Sequence, residues 1–361
     1  MASRYDKHPL IRYLRDPESA STFRTTDWER LLRSARRGYL LSRVAWIAHQ
    51  SGLINRIPDQ IQFHFKSAMR VAESQSISVN WEVDKIQKAL AEPSVPFILL
   101  KGAAYIRGKF ASGHARLLSD IDILVPNDRL MDAEKAFYAN GWFPSKLDAY
   151  DQRYYREWMH ELPPMQHLGR GTSLDVHHTI LPPTAILKPD VDKLWKSAIA
   201  IDNDKKVFVL SPVDMVLHSA AHLFHDSELE HGLRDLVDID ALIRQFSTDD
   251  QFFETLIDRA SELDLGRPLY YAVKYCIAFL QTPIPDAVSR RMINHRSQSF
   301  AVRSVMDVIV LRSIGAILED QPSIKSHFSQ FSMYVRSHYL RMPMHLLAPH
   351  LLRKQLISKG K

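Results

Sequence analysis

The segment LSDIDILV, residues 118–125, decides the predicted fold. Side chains of a β-strand alternate between two faces, so Asp120 and Asp122 point the same way on a predicted strand at 120–125, while the opposite face is wholly apolar. Two like charges on one face repel each other and resist burial. A divalent cation bound through carboxylate oxygens, Mg²⁺ or Mn²⁺, would compensate both charges.

Asp-x-Asp is a weak motif when it stands alone, because it occurs by chance in many proteins. The alternative is that the pair ends a strand and caps a helix near Asp128. The residues on either side of the pair are therefore needed to distinguish the two interpretations.

Residues upstream of the pair favour a phosphate-binding site. An apolar run at 95–100 predicts a buried strand, which ends in Lys101 and Gly102. A glycine lets the backbone approach a phosphate, and Lys101 supplies a mobile positive charge. Arg116 and Ser119 precede the aspartates closely enough to contact the same phosphates. Taken singly, each of these residues also fits the surface of a strand end, which is the simpler interpretation.

A third carboxylate lies downstream on a separate predicted strand. Two segments, 165–168 and 173–177, flank a glycine-rich stretch at 169–172, which is typical of a β-hairpin. Asp175 lies in the second segment, and His177 shares its face because the two are two residues apart. His177 is therefore predicted to orient Asp175 or an acceptor group, or else to be a packing histidine.

Helical patterns surround this region on both sides. A capping box at 26–29 and helical spacing behind it predict a helix that ends near Gly52, and a second helix is predicted at 58–91 with a break near Ser74. Further helices are predicted at 212–226, 233–246, 249–263, 266–281 and 299–317.

The order Lys-Gly, then Arg-x-x-Ser-Asp-Ile-Asp-Ile-Leu-Val, then Leu-Asp-Val-His-His resembles the uncharacterised nucleotidyltransferase family of the DNA-polymerase-β-like superfamily. Residues 211–242 resemble the family's next segment, a helix with spaced histidines followed by Leu-Arg-Asp-Leu-Val-Asp-Ile. The resemblance implies an α+β fold, in which N-terminal and C-terminal helical regions flank a small mixed β-sheet. The predicted units are an N-terminal helical region (1–91), a nucleotidyltransferase core (92–210), a C-terminal helical domain (211–320) and a basic tail (321–361).

The same resemblance implies roles for individual residues. Members of the superfamily transfer a nucleotidyl group, often from ATP, to a hydroxyl or a phosphate. Asp120 and Asp122 are implied as the metal-binding pair and Asp175 as the third metal ligand or the base for the acceptor. The implied nucleotide-binding residues are Lys101, Gly102, Arg116 and Ser119.

The chain departs from the superfamily pattern at one point. Many members have Gly-Ser about a dozen residues before the first aspartate, and the serine touches a triphosphate oxygen. Here Gly102 is followed by Ala103 and lies 18 residues before Asp120. The role of that serine is therefore expected to fall to Lys101, Ser119 or a backbone amide.

The composition is that of a globular protein, with 45% hydrophobic and 24% charged residues. No apolar run is long enough to cross a bilayer, and no secretory signal is visible at the N-terminus. Cys276 is the only cysteine, which excludes an intrachain disulfide. A cytoplasmic location is predicted on these grounds.

Basic charge is concentrated at the C-terminus. No acidic residue follows Asp320, whereas seven basic residues do: Lys325, Arg336, Arg341, Arg353, Lys354, Lys359 and Lys361. Such a tail is predicted to contact an anionic partner or a membrane surface, and the alternative is a solvated terminal helix.

Three histidines, His218, His222 and His225, are spaced by four and three residues and share one face of a predicted helix. A zinc site is one interpretation. A histidine-lined face turned toward the cleft or the next helix is favoured, because no obvious further ligand accompanies them. Asp235 and Asp238 are predicted to cap the following helix or to pair with Arg234.

Together these features predict an Mg²⁺-dependent nucleotidyltransferase that transfers a nucleoside monophosphate, AMP from ATP, to an acceptor. The sequence leaves the acceptor open between a small molecule, a peptide, a protein and RNA. Two alternatives remain: a catalytically inactive module that binds a nucleotide or a protein on the same scaffold, and a kinase that transfers the γ-phosphate.

Overall fold

A computed structural model describes residues 5–144, 149–201, 206–226, 229, 231–248, 251–294 and 300–347. Over these residues the strands are β1 (Phe97–Leu99), β2 (Ile121–Leu124), β3 (Trp142–Pro144), β4 (Met165–His167), β5 (Ser173–His177), β6 (Ile199–Ala200) and β7 (Val207–Val209). The α-helices are α1 (Pro9–Arg15), α2 (Thr25–Arg37), α3 (Leu41–Gln50), α4 (Asp59–Ala91), α5 (Lys101–Arg107), α6 (Leu130–Ala139), α7 (Ala149–Trp158), α8 (Val191–Ser197), α9 (Pro212–Ala221), α10 (Gly232–Phe246), α11 (Gln251–Glu262), α12 (Gly266–Leu280), α13 (Asp286–Asn294), α14 (Phe300–Gly315) and α15 (Ile324–Arg341).

The strands form one mixed sheet in the order β3-β4-β5-β2-β1-β7-β6. Strands β2 and β5 are parallel, as are β1 and β7, and every other neighbouring pair is antiparallel. All four residues of β2 are buried, so both faces of this central strand are covered. The predicted α+β class with a small mixed sheet is therefore confirmed.

The long helix α4 is continuous through its serine cluster. The expected break near Ser74 is wrong, because the Ser78 hydroxyl donates to the Ser74 carbonyl 3.0 Å away within the same helix. A serine that bonds to the carbonyl four residues back can remain in a helix, so the cluster does not interrupt it.

The helix predicted to run as far as Gly52 is two helices instead. Tyr39, between α2 and α3, has a φ of 54°, in the left-handed region that an α-helix cannot contain. The cap also differs from the predicted box, because Asp27 accepts a hydrogen bond from the amide of Arg24, two residues before the threonine expected as cap. The chain therefore turns sharply where the sequence pattern continues.

Helices α9, α10 and α12 begin within one residue of their predicted starts, whereas α13 was not predicted. The Ser211 hydroxyl accepts a hydrogen bond from the amide of Asp214 and caps α9. After α9 the chain makes one π-helical turn, His222–Asp226, before α10. Helix α15 lies inside the segment predicted as a basic tail, and the basic residues after position 347 lie outside the described residues. Among the helices described, none is both long and apolar enough to cross a membrane.

Candidate active site

The parallel strands β2 and β5 bring two carboxylates level with each other. In their register Asp122 lies opposite Asp175, so both side chains leave the same face of the sheet at the same height. Asp120 directly precedes β2, one residue before the strand begins. The three aspartates singled out in the sequence are thus gathered around the N-terminal end of β2, in the middle of the sheet.

Lys101 adds a cation to this group of aspartates. It follows β1, which is antiparallel to β2, and the amide of Leu100 donates to the Asp122 carbonyl at 3.0 Å. The backbone of Lys101 is left-handed, with a φ of 43°. Its Nζ lies 3.3 Å from Asp122 Oδ1, and the two side chains are 18% and 11% exposed. The lysine therefore pairs with the central carboxylate.

Asp122 has a second partner in His177, which lies on β5. His177 Nε2 donates to Asp122 Oδ1 at 3.1 Å, and the imidazole is buried. Burial disfavours the charge on Asp122, but Lys101 and the hydrogen bond from His177 outweigh that effect and hold its pKa well below the usual range. Asp122 is therefore anionic, and His177 contacts it rather than Asp175, the carboxylate it was predicted to orient.

Asp120 and Asp175 lack comparable compensation. Burial, and then the charge of Asp122, raise the pKa of Asp120. Burial, followed by the charges of Asp122 and Asp120, raises the pKa of Asp175 to about 7. In both cases the neighbouring carboxylates oppose ionisation. The cluster carries more negative potential than the protein alone neutralises.

A polar cavity of about 200 Å³ opens beside the cluster. Six of the seven predicted site residues line it: Lys101, Gly102, Arg116, Ser119, Asp120 and Asp122. The opposite wall comes from the C-terminal helices and includes His222, Arg234 and Asp235. The site therefore lies between the sheet and the C-terminal helices.

Arg116 is held in the cavity wall by a buried ion pair. Its Nε lies 2.6 Å from Asp238 Oδ2, and the two side chains are 9% and 6% exposed. Gly102 packs directly beneath this arginine, because a Cβ at that position would collide with the side chains of Leu118 and Arg116. The glycine thus permits a close approach of side chains, whereas the sequence had indicated an approach to phosphate. Phosphate contacts of both residues stay predictions.

Ser119 bonds within the carboxylate cluster. Its hydroxyl donates to Asp120 Oδ1 at 3.0 Å. The contact fixes the serine beside the first aspartate, at the boundary with a second cavity of about 210 Å³. That second cavity shares Leu118, Ser119 and Asp120 with the first.

The second cavity is lined by polar side chains of α4 and of the hairpin between β4 and β5. Arg170 Nε donates to Glu82 Oε1 at 2.6 Å, and the Thr172 hydroxyl donates to the same oxygen at 2.8 Å. The Arg170 guanidinium also lies over the rings of Trp81 and Trp142. Glu82 and Arg170 carried no signal in the sequence beyond the glycine-rich turn between the two strands.

The three spaced histidines lie in two helical segments of different geometry. His218 lies on α9, whereas His222 and His225 lie in the π-helical turn, which changes their angular spacing. His222 lines the first cavity, as expected for a cleft-facing histidine. Asp235 lies 3.1 Å from Arg234, which is one of the two predicted alternatives. Asp238 pairs with Arg116 instead.

A group of possible metal ligands that the sequence reasoning missed lies next to the cluster. His160, Glu161 and His177 each offer one ligand atom, and these atoms all lie within 4.8 Å of one another. The signal available was indirect: His177 was noted, but the pairing of residues 160–162 with β5 joins segments that no motif connects.

Comparison with known proteins places these residues in a family. The model of a family described as uncharacterised nucleotidyltransferase matches residues 24–281. The chain belongs to this family. The match spans the carboxylate cluster, Lys101 and both cavities, and it ends just after α12. Nucleotidyl transfer is accordingly supported as the general activity. Neither the curated proteins nor the solved structures yield a match.

Proposed function

We propose that this protein is an Mg²⁺-dependent nucleotidyltransferase that transfers AMP from ATP to an acceptor. The observation that carries the proposal is the register of Asp122 with Asp175 on adjacent parallel strands. Asp120 directly precedes β2, and Lys101 lies beside Asp122. Nucleotidyl transfer needs this combination, because the triphosphate and its leaving pyrophosphate are both strongly anionic.

The donor set fits magnesium. Asp120, Asp122 and Asp175 present only carboxylate oxygens, the ligands that Mg²⁺ and Mn²⁺ prefer. The raised pKa values of Asp120 and Asp175 mark a local deficit of positive charge that a divalent cation would correct. When bound, such an ion would supply charge neutralisation at the phosphates during in-line displacement.

The protein's own residues would position the nucleotide. Lys101 follows the C-terminal end of β1, where its ammonium can contact a phosphate while staying close to Asp122. Arg116 is fixed by Asp238 and presents a rigid cationic wall rather than a mobile side chain. Positioning of this kind lowers the barrier because the reacting groups are held before the step begins.

The acceptor is proposed to approach through the second cavity. Asp120 borders both cavities, so a nucleotide in the first and a hydroxyl in the second would meet at the carboxylate cluster. A small molecule, a peptide and a protein side chain all remain acceptors of this proposal, and a cytoplasmic location remains its setting.

The test is incubation of the full chain with Mg²⁺, a metabolite and protein extract, and ATP labelled at either the α- or the γ-phosphate. Transfer of α-label with release of pyrophosphate is expected. Transfer of γ-label with release of ADP would identify a kinase instead, and binding of Mg·ATP without either product would identify an inactive binding module.

A matched pair of variants assigns the activity to the cluster. Asp120→Asn combined with Asp122→Asn should abolish transfer, because both substitutions keep side-chain size while removing charge. Asp128→Asn, an exposed aspartate just after β2, should retain it. Full activity in the double variant would refute the proposal.

A further inference from the structure

His160, Glu161 and His177 lie beside the carboxylate cluster but have a different ligand chemistry. Two imidazoles and one carboxylate suit borderline metals such as Zn²⁺ or Co²⁺, whereas an all-oxygen set suits Mg²⁺. We propose that these three residues form a second metal site, selective for a divalent transition metal. This proposal does not depend on the proposed nucleotidyl transfer.

The backbone presents the ligands from two paired segments. Glu161 forms an antiparallel bridge with His177. The amide of Leu162 donates to the Val176 carbonyl at 2.9 Å, and the amide of His178 donates to the His160 carbonyl at 2.9 Å. Ligands on hydrogen-bonded strands are held more rigidly than ligands on loops, so little ordering is needed when an ion binds.

The separations of the ligand atoms fit coordination by one ion. His177 Nε2 lies 3.5 Å from Glu161 Oε2. Ligand atoms about 2.1 Å from a tetrahedral Zn²⁺ lie about 3.4 Å apart. A ring nitrogen of His160 lies within 4.8 Å of both other ligand atoms, so a small rotation of that ring completes the set. The ring centroids of His160 and His177 lie 5.0 Å apart.

The site is enclosed by protein. His160 and His177 are 6% and 3% exposed, and the Glu161 side chain is 15% exposed. A cation bound between His177 Nε2 and Glu161 would compensate the charge of a carboxylate that is largely removed from water.

A metal here would act on the neighbouring cluster through His177. His177 Nε2, the nitrogen that faces Glu161, also lies 3.1 Å from Asp122 Oδ1, so an ion bound at Nε2 would replace the hydrogen bond to Asp122 with its own positive charge beside that carboxylate. His177 is therefore a positioning residue that links two sites of different metal preference.

Metal binding by the full chain tests the proposal directly. The protein is stripped of metal, kept in excess Mg²⁺ and titrated with Co²⁺ and with Zn²⁺. One equivalent of Co²⁺ should give the visible absorption of a four- or five-coordinate nitrogen–oxygen site, and Zn²⁺ should displace it. Absence of a stoichiometric Co²⁺ spectrum from the folded wild-type chain would overturn the proposal.

Variants distinguish this site from other histidines and from the carboxylate cluster. Glu161→Gln and His160→Gln should each weaken Zn²⁺ binding by on the order of 100-fold. His178→Gln is the control, since its imidazole bonds to the Met159 carbonyl instead. Equal Zn²⁺ affinity in all three variants would refute the assignment, and circular dichroism establishes that each is folded.

A fourth variant separates this proposal from the proposed function. Asp120→Asn removes a ligand of the carboxylate cluster and should leave the Co²⁺ spectrum unchanged. If the spectrum is present while no nucleotidyl transfer is found, the metal site stands and the proposed function fails.

Discussion

Buried carboxylates occur in two regions of this molecule and are neutralised in different ways. In the C-terminal helices the buried Asp214 and Asp238 each pair with an arginine. Asp214, fully buried, lies 2.7 Å from Arg259 Nε, and Asp238 lies 2.6 Å from Arg116 Nε. A buried charge paired in this way is neutralised by the protein itself, as expected of a structural ion pair.

The charges of the carboxylates around the N-terminal end of β2 are not neutralised in this way. Asp122 pairs with Lys101 and His177. Asp120 and Asp175 have no ion-pair partner in the part of the chain that the structure describes. The difference teaches that burial alone does not mark a functional aspartate. What marks it is burial together with a shortage of positive charge.

The strongest test of this contrast is Asp122→Asn. The asparagine keeps the size of the side chain and can still accept from His177, but it removes the charge. Transfer activity should fall at least about 1000-fold, equivalent to about 4 kcal/mol. The free energy of unfolding, measured with urea, should change by less than about 2 kcal/mol. A folded variant with undiminished turnover would remove Asp122 from the active site.

The opposite outcome is expected from Arg259→Met. It leaves Asp214 buried without its cation, so unfolding free energy should fall by about 3 kcal/mol. Glu262→Gln is the control, because this exposed partner of Arg259 should contribute less than about 1 kcal/mol. Similar losses in both variants would show that the burial of Asp214 is unimportant.

Asp175→Asn should stabilise the metal-free protein. Because the pKa of Asp175 is raised to about 7, the folded state binds a proton more tightly than the unfolded state does. Stability contributed by the protonated group is therefore lost as pH rises from about 4 to about 7. In EDTA the variant should gain on the order of 2 kcal/mol over wild type at pH 8 and much less at pH 4.

Added Mg²⁺ completes this experiment. It should raise the melting temperature of the wild-type chain and have little effect on Asp175→Asn, because ligand binding stabilises only the state that binds it. If the variant is no more stable than wild type in EDTA at pH 8, the carboxylates do not repel each other.

A smaller effect is expected from Lys101→Met. The methionine keeps the apolar stem of the side chain and removes its ammonium. The KM for ATP should rise about 10-fold, equivalent to about 1.4 kcal/mol, if the ammonium contacts a phosphate. Lys109→Met is the control. An unchanged KM would show that Lys101 serves only to neutralise Asp122.

Local patterns in the sequence predicted the strands of this site well. The predicted strand at 173–177 coincides with β5, and that at 120–125 exceeds β2 only at its ends. Alternation and apolar runs are local properties, so they survive in the fold. The π-helical turn after α9 escaped prediction because its spacing resembles an ordinary helix.

Contacts between distant segments could not be predicted in the same way. No local pattern indicates that Arg116 pairs with Asp238, or that residues 160–162 join β5. These contacts depend on how the helices pack on the sheet. The resemblance to a family named the three aspartates, but it did not distinguish which of them is compensated by Lys101.

The backbone of Lys101 has a consequence for the turn that follows β1. A φ of 43° strains a lysine by about 1 kcal/mol and would not strain a glycine. Lys101→Gly should therefore lose ATP affinity as Lys101→Met does, yet unfold about 1 kcal/mol less readily than the methionine variant. Lys101 disfavours the backbone conformation that it adopts here, but this conformation places its ammonium group beside Asp122.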